Sequence, residues 1–125
     1  MKWPDQLLWT DGLAGAAVGL GTLLLAGWLS ELYDLPHRFV LLVAAANLIY
    51  GAYSISLARS RRRPLGLIVL LVVANTTWAV LCFQWVYRWH DTASVFGLFH
   101  LGSEGLFCLG LAFYEWRLRH QLVRP

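Results

Sequence analysis

The chain has 125 residues, of which 58% are hydrophobic and 14% charged, with a formal net charge of +3. A water-soluble chain of this size needs more polar cover, so the composition excludes a soluble globular protein and points to a single integral membrane domain over residues 1–125. The positive balance does not indicate a nucleic-acid partner, because the arginines gather at the ends of apolar blocks without interleaved aromatic residues.

Four apolar blocks of about 20 residues each are long enough, at ~1.5 Å per residue, to cross a hydrocarbon layer of ~30 Å. The first is predicted over residues 12–30, with Thr10 or Asp11 as N-cap and the polar turn Glu31 to Pro36 as its end. Residues 1–10, with Trp3, Leu7, Leu8 and Trp9, read as a short anchor along the interface. A cleaved signal peptide is the competing reading of this region, but Asp5 and Asp11 spoil a basic leader. The second helix is predicted over 37–58, ended by the run Arg59 to Pro64, and the third over 65–87. The fourth is predicted over 93–116, capped by Asp91 or Thr92. Short connections favour an all-α, up-down-up-down antiparallel bundle of four transmembrane helices.

Basic residues predict the orientation. Lys2, Arg59, Arg61, Arg62, Arg63, Arg117, Arg119 and Arg124 lie on the side of both termini and the middle connection, and only Arg38 and Arg88 lie opposite. Since Lys and Arg near helix ends are retained in the cytoplasm, both termini are expected there. Aromatic girdles agree: Trp3, Trp9, Tyr114 and Trp116 fall at the inner level, and Trp28, Tyr33, Trp85, Tyr87 and Trp89 at the outer one.

The informative residues are those that are costly in lipid. A central carboxylate costs at least ~2.5 kcal/mol to insert unless it is paired, hydrated or protonated, so Glu104 is expected to face the bundle interior. His100 lies one turn earlier on a stripe that reads Ser94, Gly97, His100, Glu104, Cys108, Ala112, with Ser103 beside it. Helices 2 and 3 repeat a pattern 28 positions apart: Ala46-Asn47, then Tyr50-Gly51; and Ala74-Asn75, then Trp78-Ala79. Counted from the outer helix ends, Asn47, Asn75 and Glu104 all fall ~15 to 18 Å deep, which predicts one shared midplane network. The candidate ligand or proton site is therefore Glu104, His100, Asn47, Asn75, Ser103, Tyr50 and Trp78. Amides alone serve as interhelical glue; the carboxylate is what suggests function.

Helix 1 carries no central charge in this reading. Its stripe of Gly12, Gly15, Gly19, Thr22 and Ala26 contains Gly15-x-x-x-Gly19, a seam for close packing within the monomer or, alternatively, for a homodimer. Arg61, Arg62 and Arg63 are candidates for contact with lipid headgroups or a partner protein. His100, Glu104 and Cys82 are too mixed a set to indicate a metal, Cys82 and Cys108 lie at different depths, and no cofactor motif is present, so neither metal nor cofactor is expected.

Size, four helices and one buried carboxylate are superficially similar to the small multidrug resistance transporters. Those carry their essential Glu in the first helix, where this chain has Gly, Thr and Leu. The segments Ala46 to Ser54, Ala74-Asn75 with Trp78-Ala79, His100-Leu101 with Glu104-Gly105, and Glu115-Trp116-Arg117 resemble a family of small bacterial four-helix inner-membrane proteins. That resemblance implies a bacterial inner-membrane location and no particular activity. Two functions follow as expectations: binding or transport of a small molecule or cation at Glu104, or a structural or regulatory subunit whose polar core only fixes helix packing. A membrane enzyme ranks behind both, since no nucleophile is arranged for catalysis.

Overall fold

A computed structural model describes residues 3–124 of the chain. Lys2 lies outside the described residues, as does the side chain of Trp3. Among the described residues the fold is helical throughout, with α1 (Trp3–Leu24), α2 (Ala26–Tyr33), α3 (His37–Arg59), α4 (Leu65–Trp89), α5 (Val95–Arg117) and a short α6 (Arg119–Leu122). Four of these helices, starting at Asp5, His37, Leu65 and Val95, are long and apolar enough to cross a membrane.

The first span begins earlier than its apolar block suggests. Helix α1 starts at Trp3, so residues 5–10 continue the helix instead of forming a separate anchor, and Thr10 and Asp11 lie inside it rather than capping it. The chain bends at Leu25 (φ −105°, ψ 15°) without breaking, because Leu25 N donates to Gly21 O at 3.1 Å and Leu29 N to Leu25 O at 2.8 Å. Asp34, in the left-handed region at φ 52°, then ends α2 ahead of Pro36. Asp tolerates this conformation better than most side chains. The cap of α5 is Ser94, whose hydroxyl accepts from Gly97 N at 3.3 Å; Asp91 and Thr92 instead belong to the turn that closes α4.

Both termini and the middle connection meet at one end of the bundle. Arg63 and Arg124 exchange backbone hydrogen bonds there, at 2.8 and 3.0 Å, and the Asp5 carboxylate pairs with both guanidinium groups. At the other end Ser94 N donates to Tyr33 O at 2.8 Å and Ser94 Oγ to Leu32 O at 2.6 Å, fastening the two remaining connections together.

Side-chain size decides which helices come close. Helix α1 packs directly on α3: a Cβ at Gly12 would stand 2.8 Å from Ile55 N, one at Gly19 2.7 Å from Leu48 N, and one at Gly51 2.6 Å from Ala16 N. Gly15 meets the backbone at Asn47 and Gly51 in the same seam. In lipid such backbone approach is a main source of helix association, since burying an apolar side chain gains little over solvation by acyl chains. Helix α4 packs on α5 through side chains, with Gly105 against the Phe83 ring and Cys82. Between these two pairs stand large rings. Phe39 meets Trp85 edge-on at 4.8 Å, Tyr50 meets Trp78 at 6.0 Å, and the hydroxyls of Tyr50 and Tyr53 reach across to Ala74 O and Leu67 O of α4. Small residues close each pair, and aromatic spacers hold the pairs apart.

Candidate functional site

The space left between the helix pairs is a cavity of about 700 Å³, within the range that accommodates a small organic molecule. Its wall is mainly apolar. The polar groups on it come from Asp11 of α1, Tyr33 of α2, Asn47 and Tyr50 of α3, Asn75 and Trp78 of α4, and His100, Ser103, Glu104 and Cys108 of α5. Trp28, Phe96, Phe99 and Phe107 belong to the same wall and are exposed, and the cavity is open rather than enclosed.

Glu104 is the best-connected group in it. Oε1 accepts from Asn47 Nδ2 at 2.6 Å and from Trp78 Nε1 at 2.8 Å, while Oε2 meets His100 Nε2 at 2.9 Å. His100 Nδ1 lies 3.0 Å from Tyr33 Oη. A hydrogen bond from His100 Nε2–H to the Glu104 carboxylate leaves Nδ1 of a neutral imidazole as the acceptor for the Tyr33 hydroxyl. Three helices thus converge on one carboxyl group, and a fourth element, α2, orients the imidazole. The Glu104 side chain is only 8% exposed, which makes each of these contacts more valuable than it would be in water.

Five of the seven sequence-predicted site residues share this locale. Glu104, His100, Asn47 and Trp78 are bonded together, and Tyr50 packs on Trp78 while its hydroxyl donates to Ala74 O at 2.6 Å. Ser103 is on the cavity wall but exposed, and its hydroxyl donates to His100 O at 3.1 Å, so it does not join the network. Asn75 belongs elsewhere: its Nδ2 donates to Asp11 Oδ2 at 3.0 Å and to Glu115 Oε1 at 2.8 Å. The polar core is therefore two networks instead of one.

Asp11 and Glu115 have no place among the predicted site residues, although both are buried, at 4% and 0% exposure. A signal for Glu115 was present. The stripe His100, Glu104, Cys108, Ala112 continues one turn later to Glu115, the same face of the helix. Asp11 carried no such signal, because an acid just before an apolar run reads equally well as a cap.

Two further placements matter. Arg61 and Arg62 are exposed, but Arg63, grouped with them as a headgroup or partner contact, is 1% exposed and committed to Asp5 and to Leu57 O. Cys82 and Cys108 are free thiols, both buried. No cluster of three or more metal-ligating His, Cys, Asp or Glu residues occurs among the described residues.

No known protein family, curated protein or solved structure matches this chain.

Proposed function

We propose that this chain is a multi-pass membrane protein that binds, and in doing so carries across the membrane, a small apolar molecule bearing a positive or hydrogen-bond-donating group, with Glu104 as its polar anchor. The observation that carries this reading is the position of Glu104 on the wall of a roomy, open, aromatic-lined cavity. A carboxylate serving only as glue needs no adjoining space. Aromatic faces and one carboxylate are the usual chemistry for holding an organic cation out of water. Tyr33 and His100 position the anchor, and Asn47 and Trp78 share its charge until a ligand does.

The clustering of arginines at the end that holds both termini supports a cytoplasmic placement of that end, in a bacterial inner membrane. Arg61 and Arg62 are free to meet anionic headgroups or a partner. The Gly15–Gly19 seam is filled by α3, so in our reading it serves packing within the chain, and a homodimer through it requires α1 and α3 to part.

A second reading rests on the completeness of the Glu104 network: three donors already satisfy the carboxylate, as a purely structural core demands. Titrating tetraphenylphosphonium, a lipophilic cation, into the protein in lipid nanodiscs separates the two. Saturable binding that Glu104→Gln abolishes while the fold persists supports the binding site. Equal binding by wild type and Glu104→Gln, or no saturable binding by wild type, returns Glu104 to a structural role.

A further inference from the structure

Glu104 is not the only buried acid on the cavity. We propose that Asp11, Asn75 and Glu115 form a second site, which binds a single exchangeable proton held between the two carboxyl groups.

The composition of the cluster supports it. Asn75 spends both N–H bonds of its amide, one on Asp11 Oδ2 and one on Glu115 Oε1. The other Glu115 oxygen, Oε2, is fully buried and meets no hydrogen-bond donor among the described residues. Both carboxyl groups face the same amide nitrogen, Asn75 Nδ2, at 3.0 and 2.8 Å. Two ionised carboxylates are acceptors only, and held on one amide nitrogen in a buried site they repel strongly. One proton removes the repulsion and supplies the missing donor.

Among the described residues no other group donates to Glu115 Oε2. Around the pair, α1 contributes Asp11, α4 contributes the neutral Asn75, and α5 contributes Glu115 itself and the thiol of Cys108. From α3 comes Tyr50, whose hydroxyl is spent on Ala74 O. On α6, Arg119 donates to Trp116 O and lies over the Trp116 ring, and His120 is exposed. The guanidinium groups of Arg63 and Arg124 are both paired with Asp5, and no ion pair joins a basic residue to Asp11 or Glu115 among the described residues.

The site has an outlet. Asp11 and Asn75 lie on the cavity wall together with Glu104, whereas Glu115 sits behind them, so a proton leaving the pair passes through Asp11 into the cavity. Glu104 and Glu115 are eleven positions apart on α5, about 16 Å along its axis. The proton site is therefore distinct from the Glu104 anchor and stands whether or not that anchor takes a ligand.

Infrared spectroscopy of the unmodified protein in lipid tests this, with the carboxyl carbons of aspartate and then of glutamate isotopically labelled. A protonated-carboxyl band at neutral pH that shifts with the labels, shrinks as the medium is made strongly alkaline and returns on reacidification supports the site. That band should vanish in both Asp11→Asn and Glu115→Gln and survive in Glu104→Gln. Absence of the band, a band that ignores external pH, or one lost only in Glu104→Gln overturns the proposal. Because labelling needs no substitution, it shows whether the band belongs to aspartate or glutamate even where a variant fails to fold.

Discussion

Asn47 and Asn75, the paired amides of helices α3 and α4, serve different acids: Asn47 Nδ2 donates to Glu104 Oε1 at 2.6 Å, and Asn75 Nδ2 to Glu115 Oε1 at 2.8 Å. The division follows from helix direction. Every Cα–Cβ bond on a helix leans toward its N-terminus. Helix α3 starts at the end of the bundle that holds the Tyr33 and Ser94 connections, so Asn47 leans toward that end; α4 starts at the opposite end, so Asn75 leans toward the termini. Two amides placed at similar depth by residue counting are thereby sent in opposite directions, and the cavity acquires a polar group at each end.

This separation predicts independent behaviour. Asn47→Leu should perturb the infrared carboxylate signal of Glu104 and leave the Asp11–Glu115 band in place. Asn75→Leu should do the reverse. If either substitution moves both signals equally, the two networks are one coupled unit.

Helix spacing gives a second prediction. An alanine at Gly51 would put a methyl group 2.6 Å from Ala16 N, against a helix backbone that cannot yield as a side chain can. Gly51→Ala should destabilise the protein by about 1–3 kcal/mol, measured by reversible unfolding in mixed micelles. Gly66 and Gly110 face open space, and alanine there should be neutral or stabilising by up to about 1 kcal/mol through helix propensity.

The termini are tied by charge. Removing the guanidinium in Arg63→Ala leaves the buried Asp5 carboxylate with Arg124 alone, and should cost about 3 kcal/mol or more. Arg61→Ala and Arg62→Ala should change stability by no more than about 0.5 kcal/mol, since both side chains are exposed. Comparing the three melting curves checks this, and equal losses for all three would contradict the buried role of Arg63.

Trp78 supplies one of the three donors to Glu104. Trp78→Phe keeps an aromatic ring between the helix pairs and removes the N–H, so it should cost about 1–2 kcal/mol while preserving the cavity. Thermal unfolding of the variant in lipid reads this loss directly; an unchanged midpoint would mean that the indole contributes only bulk.

Much of the architecture was legible in the amino-acid sequence because it is written in local quantities. Block length, arginine runs and prolines locate the four spans, and the spacing from His100 to Glu104 already puts them on one face. What escaped was the outcome of long-range pairing. Thr10 and Asp11 read as caps ahead of the apolar run, which puts the start of the first helix at Gly12, and Asp5 reads as part of a segment before it. The two acids are accommodated inside the helix by partners far along the chain: Arg63 and Arg124 for Asp5, Asn75 for Asp11. Arg63 could not be told from its neighbours Arg61 and Arg62 for the same reason. The cavity itself is invisible to residue counting, since it arises from glycines on one helix pair and rings between the pairs.

The most direct test of Glu104 as an anchor is its carboxylate infrared signal, identified by difference against Glu104→Gln, as tetraphenylphosphonium is added to the protein in lipid. A saturable shift of that signal, absent when an uncharged molecule of similar size is added, is the result predicted for a carboxylate that exchanges its Asn47, Trp78 and His100 contacts for a ligand. A signal that stays fixed through the whole titration would contradict it and leave Glu104 as a hydrogen-bond acceptor that holds three helices together.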